Sequence, residues 1–269
     1  MFDVKDKVIV ITGATGVLCS AMAKSLGQAG GKIVVLGRNE STGQAVAQSV
    51  IKKGGQAMAI VCDVFGQESL EEARTQIHAS FGPVNVLING VGGNHKDATT
   101  SPEKPFFDIP AEALTSVFNV NFLGTMVPIQ VFSQDMIEAG KGVILNVSSM
   151  SAFRPLTKIV AYSAAKAAVN NLTQWLAVHM CQNYSKEIRV NAIAPGFFLS
   201  EQNRFLLTDE KTGDLTPRGQ SIIDHTPAGR FGDPEDLLGT VHWLVSDASK
   251  FLTGTVIPVD GGFSAFSGV

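Results

Sequence analysis

The chain has 269 residues, of which 45% are hydrophobic and 17% charged, a composition that allows a large buried core and excludes a disordered chain. Its net charge of −3 gives no electrostatic basis for binding nucleic acid or an anionic membrane. No apolar run approaches the roughly 20 residues of a membrane span, and the first residues lack the apolar core of a signal peptide. Since the three cysteines Cys19, Cys62 and Cys181 fit neither a disulfide framework nor a metal site, we expect a cytoplasmic protein without a bound metal.

Short β-branched runs alternate with helix-length segments along the whole chain. The strand candidates are mostly continuous apolar runs, as in parallel strands buried on both faces, and cover 7–12, 32–37, 57–64, 84–90, 142–149, 188–195 and 254–260. The helix candidates between them cover 17–30, 40–54, 67–81, 111–139, 161–184 and 234–248. This alternation predicts the α/β class, with a doubly wound, mostly parallel, seven-stranded sheet of the Rossmann type in a single domain over residues 1–269.

The first strand leads into a glycine-containing turn and then a helix. Such a turn points backbone N–H groups and the positive end of the helix dipole at a ligand, an arrangement that favours a pyrophosphate. The fingerprint G-x-G-x-x-G is not matched, so a plain strand–helix connection without a ligand is the alternative interpretation. The candidate cofactor-binding residues of this turn are Thr12, Gly13, Thr15, Gly16, Val17 and Leu18.

A tyrosine and a lysine lie four residues apart in the predicted helix over 161–184. Residues i and i+4 share one helix face, so the Tyr162 phenol and the Lys166 ammonium are expected side by side. Carbonyl reduction by hydride requires a proton donor at the oxygen, and a nearby ammonium is expected to lower the pKa of the phenol toward neutrality. The pattern alone is common on solvated helices and needs supporting context.

Two long polar segments interrupt the alternation, at 91–110 and 196–233. Each follows the carboxyl end of a strand, where open α/β sheets bind ligands. Connections this long in a compact domain are usually binding loops or lids. We therefore expect a substrate loop or lid over about 197–230.

The ordered set of motifs resembles the short-chain dehydrogenase/reductase family over essentially the whole chain. The matching positions are Thr12-Gly13, Asp63, Asn89, Gly92, Asn121, Ser149, Tyr162, Lys166, Pro195-Gly196 and the sequence VDGG at 259–262. Two motifs depart from the family pattern: the later glycines of T-G-x-x-x-G-x-G fall on Val17 and Cys19, and NNAG is here NGVG.

The resemblance implies a catalytic group of Asn121, Ser149, Tyr162 and Lys166 in an NAD(P)-dependent oxidoreductase. Asn119 is the neighbouring alternative to Asn121, and Ser148 and Ser151 are alternatives to Ser149. The resemblance also implies a homo-oligomer, either a dimer or a tetramer, and further cofactor-binding residues, which are Asp63, Val64, Asn89, Gly90, Pro195 and Gly196, together with Tyr162 and Lys166.

The end of the second strand bears on the choice between NAD and NADP. An NAD-preferring dehydrogenase usually carries a carboxylate there for the ribose 2′-hydroxyl, whereas this chain has Gly37 followed by Arg38 and Asn39. A guanidinium can bind a 2′-phosphate bidentately. We therefore predict NADP(H) as the cofactor, with NAD(H) as the alternative and an exposed loop cation as the non-functional interpretation of Arg38.

The loops above the predicted cleft carry amides and cations, which suit a polyhydroxylated substrate with a carboxylate. The candidate substrate residues are Asn94, His95, Ser149, Arg154, Asn203 and Arg204. The segments GGNHKDATT, SEQNRFLL and DLTPRGQSIIDHTPAGRFG resemble the fructuronate reductase (D-mannonate oxidoreductase) branch, which implies D-fructuronate and D-mannonate as the substrate pair. The alternatives are a 5-ketogluconate or other carbonyl reductase of the same fold and a non-catalytic NADP-binding scaffold.

Overall fold

The computed structural model describes residues 2–199, 204, 207–209 and 212–268. The strands are β1 (Val8–Thr12), β2 (Lys32–Gly37), β3 (Gln56–Val61), β4 (Val86–Asn89), β5 (Lys141–Val147), β6 (Glu187–Pro195) and β7 (Val256–Val259). The helices in this part of the chain are α1 (Val17–Gln28), α2 (Glu40–Lys52), α3 (Gln67–Ser80), α4 (Ala111–Ala139), α5 (Val160–Asn183), α6 (Pro217–Asp224) and α7 (Leu238–Val245).

The seven strands form one parallel sheet in the order β3-β2-β1-β4-β5-β6-β7. The chain therefore winds outward from β1 in one direction, returns to β4 and continues in the other direction. In the register of the sheet, Thr12 is beside Asn89 and Asn89 is beside Asn146, so the carboxyl ends of the central strands meet at one edge. The reversal between β1 and β4 is the point at which open α/β sheets bind their ligands. The predicted fold class is confirmed.

Apolar cores cover both faces of the sheet. On one face, α1, α2 and α7 pack against the strands through side chains such as Met22, Val50 and Leu244. On the other face, α3, α4 and α5 contribute the buried residues Ile77 and Phe132, among others. Burial on both sides explains why the central strands are continuous apolar runs.

Helix α4 is the one helix of the described chain that is long and apolar enough, by length and composition alone, to cross a bilayer. It packs against α3, α5, β4 and β5. These contacts make it a core helix of the α/β domain.

The last predicted helix, over 234–248, is instead three consecutive segments. A 3-10 turn over Pro234–Leu237 precedes α7, and a second 3-10 turn over Asp247–Ser249 follows it. Asp233 and Asp236 form a capping box that fixes the first turn, and Ser246 has extended backbone angles that end α7. Helix α6 lies inside the long segment 196–233, where Thr216 caps its first turn and Pro217 begins it.

Candidate active site

A cleft of about 320 Å³ opens at the carboxyl ends of the central strands. It brings together residues from the first turn, from the ends of β4, β5 and β6, and from α5. Its lining is formed by Gly13, Gly16, Val17, Leu18, Cys19, Gly90, Gly92, Gly93, Val147, Ser148, Ser149, Tyr162, Lys166, Pro195, Gly196, Phe197 and Phe198. Ten of these positions were already candidates from the sequence.

The turn after β1 is held tightly against the end of β4. Gly13 has a φ of +62°, and a Cβ added to it would lie 2.8 Å from the carbonyl carbon and oxygen of Gly90. The Thr12 hydroxyl is buried and accepts a hydrogen bond of 3.1 Å from the Gly90 N–H. Gly16 precedes α1 in an extended conformation, so Val17 is the first helical residue and the N–H groups of the first turn face the cleft.

Buried amides tie the strands together beneath the cleft. Asn89 donates from Nδ2 to Asn146 Oδ1 at 2.9 Å, and Asn146 donates from Nδ2 to the Thr173 hydroxyl at 2.9 Å. All three side chains are fully buried. Asn89 therefore lies under the cleft rather than in its lining, and it fixes the spacing of β4, β5 and α5.

Ser149, Tyr162 and Lys166 converge on one end of the cleft. Ser149 follows β5 by two residues, while Tyr162 and Lys166 lie one turn apart on α5. The Lys166 Nζ donates to the Val147 carbonyl at 2.8 Å and lies 5.8 Å from the centroid of the Tyr162 ring. Ser148 is engaged elsewhere, because its hydroxyl donates to Asn170 Oδ1 at 2.5 Å.

Burial dominates the protonation of both α5 residues. It lowers the pKa of Lys166 to about 8, so the side chain is still mostly an ammonium at neutral pH. It also raises the pKa of Tyr162, against which a hydrogen bond with the Ser149 hydroxyl acts in the lowering direction. The predicted lowering of the phenol pKa is therefore wrong for this structure, because desolvation outweighs the other influences on the phenol.

Asn121 supports the same end of the cleft from α4. Its side chain is fully buried, donates from Nδ2 to the carbonyls of Gly93 (2.7 Å) and Val117 (2.8 Å), and accepts from the Gly93 N–H at 3.2 Å. A Cβ added to Gly92 would lie 2.6 Å from Asn121 Oδ1 and 2.9 Å from Lys166 Nζ. The neighbouring Asn119 lies instead along an outer groove of α4 with Phe65.

The remaining cofactor candidates lie around the cleft, not in its lining. Arg38 and Thr15 are exposed beside the end of β2, where a Cβ added to Gly37 would lie 3.5 Å from Thr15 Cγ2. Asn39 caps α2 by accepting from the Thr42 N–H at 3.1 Å. Asp63 is exposed and accepts from the Phe65 N–H at 3.1 Å, whereas Val64 is buried.

A dinucleotide fits this arrangement. Glycine backbone forms the cleft floor at 13, 16, 90, 92 and 93, and an added Cβ would meet protein atoms at 13, 90 and 92. The opening turn presents a helix N-terminus to phosphate, and Arg38 offers a cation at the outer end.

Of the substrate candidates that the structure describes, Ser149 alone is among the residues that line the cleft. Asn94 donates from Nδ2 to the Thr99 hydroxyl at 2.8 Å, and His95 accepts at Nδ1 from the Asp97 N–H at 3.2 Å, so both stabilise their own loop. Arg154 donates from Nε to the Ser264 carbonyl at 3.2 Å, which ties the loop after Ser149 to the C-terminal tail. Arg204 is exposed, and Asn203 lies outside the described residues.

Seven residues of the lining were not among these ten candidates, including Gly93, Val147 and Cys19. Val147 is the last residue of β5 and Gly93 lies four residues after the end of β4, and these positions at strand carboxyl ends could have indicated them. The sequence identified Cys19 only as a departure from the family's glycine pattern. It is 4% exposed, yet it also borders the cleft.

Comparison with known proteins places this geometry in a family. The short chain dehydrogenase family model matches residues 7–211. The uncharacterised oxidoreductase UxuB of Bacillus subtilis is 48% identical, over 99% of this chain and 98% of its own length. A solved structure of a candidate D-mannonate oxidoreductase from Haemophilus influenzae with bound NAD is 46% identical, with a TM-score of 0.93 over 99% of this chain and 98% of that one. A gluconate 5-dehydrogenase from Burkholderia cenocepacia, solved with NADP and tartrate, is 28% identical with a TM-score of 0.86 over 98% of each chain.

Proposed function

The chain belongs to the short-chain dehydrogenase family and is an NAD(P)-dependent oxidoreductase, and from this premise we propose that it interconverts a keto sugar acid and its hydroxy acid, most specifically D-fructuronate and D-mannonate. One observation carries the proposal. Ser149, Tyr162 and Lys166 border the same end of a glycine-floored cleft, at the topological switch point of the sheet.

The chemistry requires a hydride and a proton for each carbonyl reduced. A bound reduced nicotinamide supplies the hydride to the carbonyl carbon. The Ser149 hydroxyl donates a hydrogen bond to the carbonyl oxygen and holds it beside Tyr162, whose phenol donates the proton to that oxygen. Because burial raises its pKa, Tyr162 is fully protonated at neutral pH, the form that reduction requires.

Lys166 and Asn121 support proton transfer by Tyr162. The Lys166 ammonium stabilises the phenolate that forms when Tyr162 gives up its proton. Asn121 holds the backbone of Gly93 through two hydrogen bonds and thereby keeps the 90–93 segment pressed against Lys166. In the oxidative direction the proton moves the opposite way, and the Tyr162 phenolate acts as the base that accepts it from the substrate hydroxyl.

The cofactor preference proposed is NADP(H). The supporting observation is the absence of a carboxylate at Gly37 together with an exposed guanidinium at Arg38, which suits a 2′-phosphate. NAD(H) is the second candidate, since the Haemophilus influenzae relative was solved with bound NAD.

The substrate proposal relies on polar and cationic side chains of the segments that follow the carboxyl ends of the strands. Cations and amides at Asn94, His95, Arg154 and Arg204 are available for hydroxyls and a carboxylate. The segment 197–230 is proposed as the substrate loop or lid. His225, which directly follows α6, contacts the C-terminal tail, since the centroids of its ring and the Phe266 ring are 6.3 Å apart. A 5-ketogluconate substrate is the second candidate, supported by the gluconate 5-dehydrogenase relative.

A homo-oligomer, either a dimer or a tetramer, is also proposed. Large apolar side chains are exposed on the outer faces of α4 and α5, including Phe118 and Leu123 on α4 and Trp175 and Val178 on α5. A second copy of the chain could cover them. Neither a nucleic acid nor a membrane is proposed as a partner, and the proposed compartment is the cytoplasm.

The test is a screen of NADPH and NADH oxidation with D-fructuronate, D-tagaturonate, 5-keto-D-gluconate and the uncharged ketose D-fructose. We expect D-fructuronate to give the highest kcat/KM. Equal turnover of D-fructose would contradict the carboxylate part of the proposal. No turnover of any carbonyl, combined with intact NADPH binding, would favour the non-catalytic scaffold. A His95→Ala variant should raise the KM for the acid without changing the Kd for NADPH.

A further inference from the structure

The two departures from the family motifs meet in space. The family pattern places glycine where this chain has Cys19 and asparagine where it has Gly90. Cys19 is the third residue of α1, and Gly90 directly follows β4. A Cβ added to Gly90 would overlap the Cys19 Sγ and would lie 2.8 Å from the Thr12 carbonyl oxygen. The side-chain volume absent from the strand end is therefore present on the helix.

The presence of a side chain at Cys19 and its absence at Gly90 affect the cofactor cleft, because Gly90 contacts other residues that line it. The last glycine of a dinucleotide fingerprint allows close packing of the helix on the strand. Here α1 carries a thiol at that position, and close packing is kept because its partner has no side chain. Gly90 in turn donates to Thr12 and packs on Gly13, while Gly92, two residues on, packs on Asn121 and Lys166.

We propose that Cys19 is a positioning residue whose volume sets the path of the 90–93 backbone, and with it the nicotinamide end of the cofactor site, in a steric pair with Gly90. The thiol acts by its size. It is 4% exposed and borders the cleft, and burial raises its pKa to about 12, so it is neutral at physiological pH. The proposal concerns cofactor geometry and holds whichever sugar acid is the substrate.

The test is a double-mutant cycle of Cys19→Ala, Gly90→Ala and the double variant. Fluorescence titration gives the Kd for NADPH and NADH and, by competition, for the adenosine half 2′,5′-ADP. Cys181→Ala and Gly239→Ala are matched controls, because Cys181 is outside the cleft and a Cβ at Gly239 meets nothing within 4 Å.

For whichever of NADPH and NADH the wild type binds more tightly, we expect Gly90→Ala to raise the Kd by about tenfold or more. The Kd for 2′,5′-ADP should rise by less than about threefold. Adding Cys19→Ala should recover most of the dinucleotide affinity. Recovery stays incomplete, since the contact with the Thr12 carbonyl remains. Cys19→Ala alone should raise the Kd for the dinucleotide by about threefold or more and leave the Kd for 2′,5′-ADP unchanged, whereas both controls should change each Kd by less than about threefold.

The proposal would be overturned by wild-type dinucleotide affinity in Gly90→Ala or in Cys19→Ala, or by a double variant that binds no better than Gly90→Ala. An equal loss of dinucleotide and 2′,5′-ADP binding would also contradict it, since that indicates general destabilisation. If Gly90→Ala does not fold, the test is whether the double variant shows a cooperative thermal unfolding transition and binds the dinucleotide. A folded, dinucleotide-binding double variant supports the pair, and an unfolded one contradicts it.

Discussion

The Lys166 Nζ lies 5.8 Å from the centroid of the Tyr162 ring, one helical turn along α5, and both side chains border the same cleft. If Tyr162 delivers the proton, Tyr162→Phe removes it while leaving the ring in place. We expect kcat to fall by about 10²–10⁴-fold, the usual contribution of a positioned acid. The Kd for NADPH should stay within about threefold of the wild-type value. Tyr184→Phe, at an exposed position remote from the cleft, is the control and should leave kcat unchanged.

The kcat/KM for carbonyl reduction should decrease as Lys166 loses its proton. Its pKa of about 8 lies below the ordinary value of 10.5, so the ammonium is present at pH 7 and is lost on passing through about pH 8. Reductive kcat/KM should therefore be constant near pH 7 and decline above about pH 8. Loss of the Tyr162 proton belongs to a higher pH, because the pKa of the phenol is raised above 10.0.

A Lys166→Arg variant distinguishes the titration of Lys166 from that of any other group. Arginine does not titrate in this range, so the decline near pH 8 should disappear even if the absolute rate is lower. A decline of unchanged midpoint in Lys166→Arg would show that another group is responsible.

Arg38 is the simplest test of cofactor preference. Replacing it by aspartate removes the cation and supplies a carboxylate that repels a 2′-phosphate and can accept from a ribose hydroxyl. We expect the ratio of kcat/KM for NADPH to that for NADH to fall by about tenfold or more in Arg38→Asp. Lys186→Asp makes the same charge change at an exposed position before β6 and should leave the ratio unchanged. An unaltered ratio in Arg38→Asp would exclude Arg38 from the cofactor site.

A buried carboxylate at the amino-terminal ends of the strands, away from the cleft, is expected to stabilise the fold. Asp135 is buried and accepts from Arg74 Nε (2.6 Å), His78 Nε2 (2.7 Å) and the Val84 N–H (2.7 Å). Asp135→Asn turns two of these contacts into donor–donor conflicts and should reduce the free energy of unfolding by about 2–4 kcal/mol.

Urea unfolding measures this loss, and kcat of the folded enzyme should be unaffected. The control is Glu138→Gln, whose side chain is 74% exposed and which should change stability by less than about 0.5 kcal/mol. Equal effects of the two substitutions would refute the role of the buried carboxylate.

The fold was largely predictable because local patterns determine it. The VIVIT run of β1 is buried along its whole length, so its apolar continuity alone identified a central strand. Helix ends were less predictable. The segment 234–248 divides into three because of the capping box of Asp233 and the backbone angles of Ser246, which depend on local geometry that apolar periodicity does not report.

The site was predictable where residues follow strand ends or repeat along one helix face. Ser149, Tyr162 and Lys166 meet as their positions in the sequence indicated. The phenol pKa was not predictable, because its direction depends on how much water the fold removes. The contact of Cys19 with Gly90 and the hydrogen bond from Arg154 to Ser264 join distant parts of the chain, and no local pattern encodes either.

The most direct test follows the hydride itself. Reduction of D-fructuronate with NADPH carrying deuterium at the transferable C4 position, analysed by NMR of the product, reports both the transfer and its destination. We predict that the wild type forms D-mannonate with deuterium at C5 and that this labelling falls to near background in Tyr162→Phe. A product without deuterium at C5, or equal labelling rates in the two proteins, would contradict it.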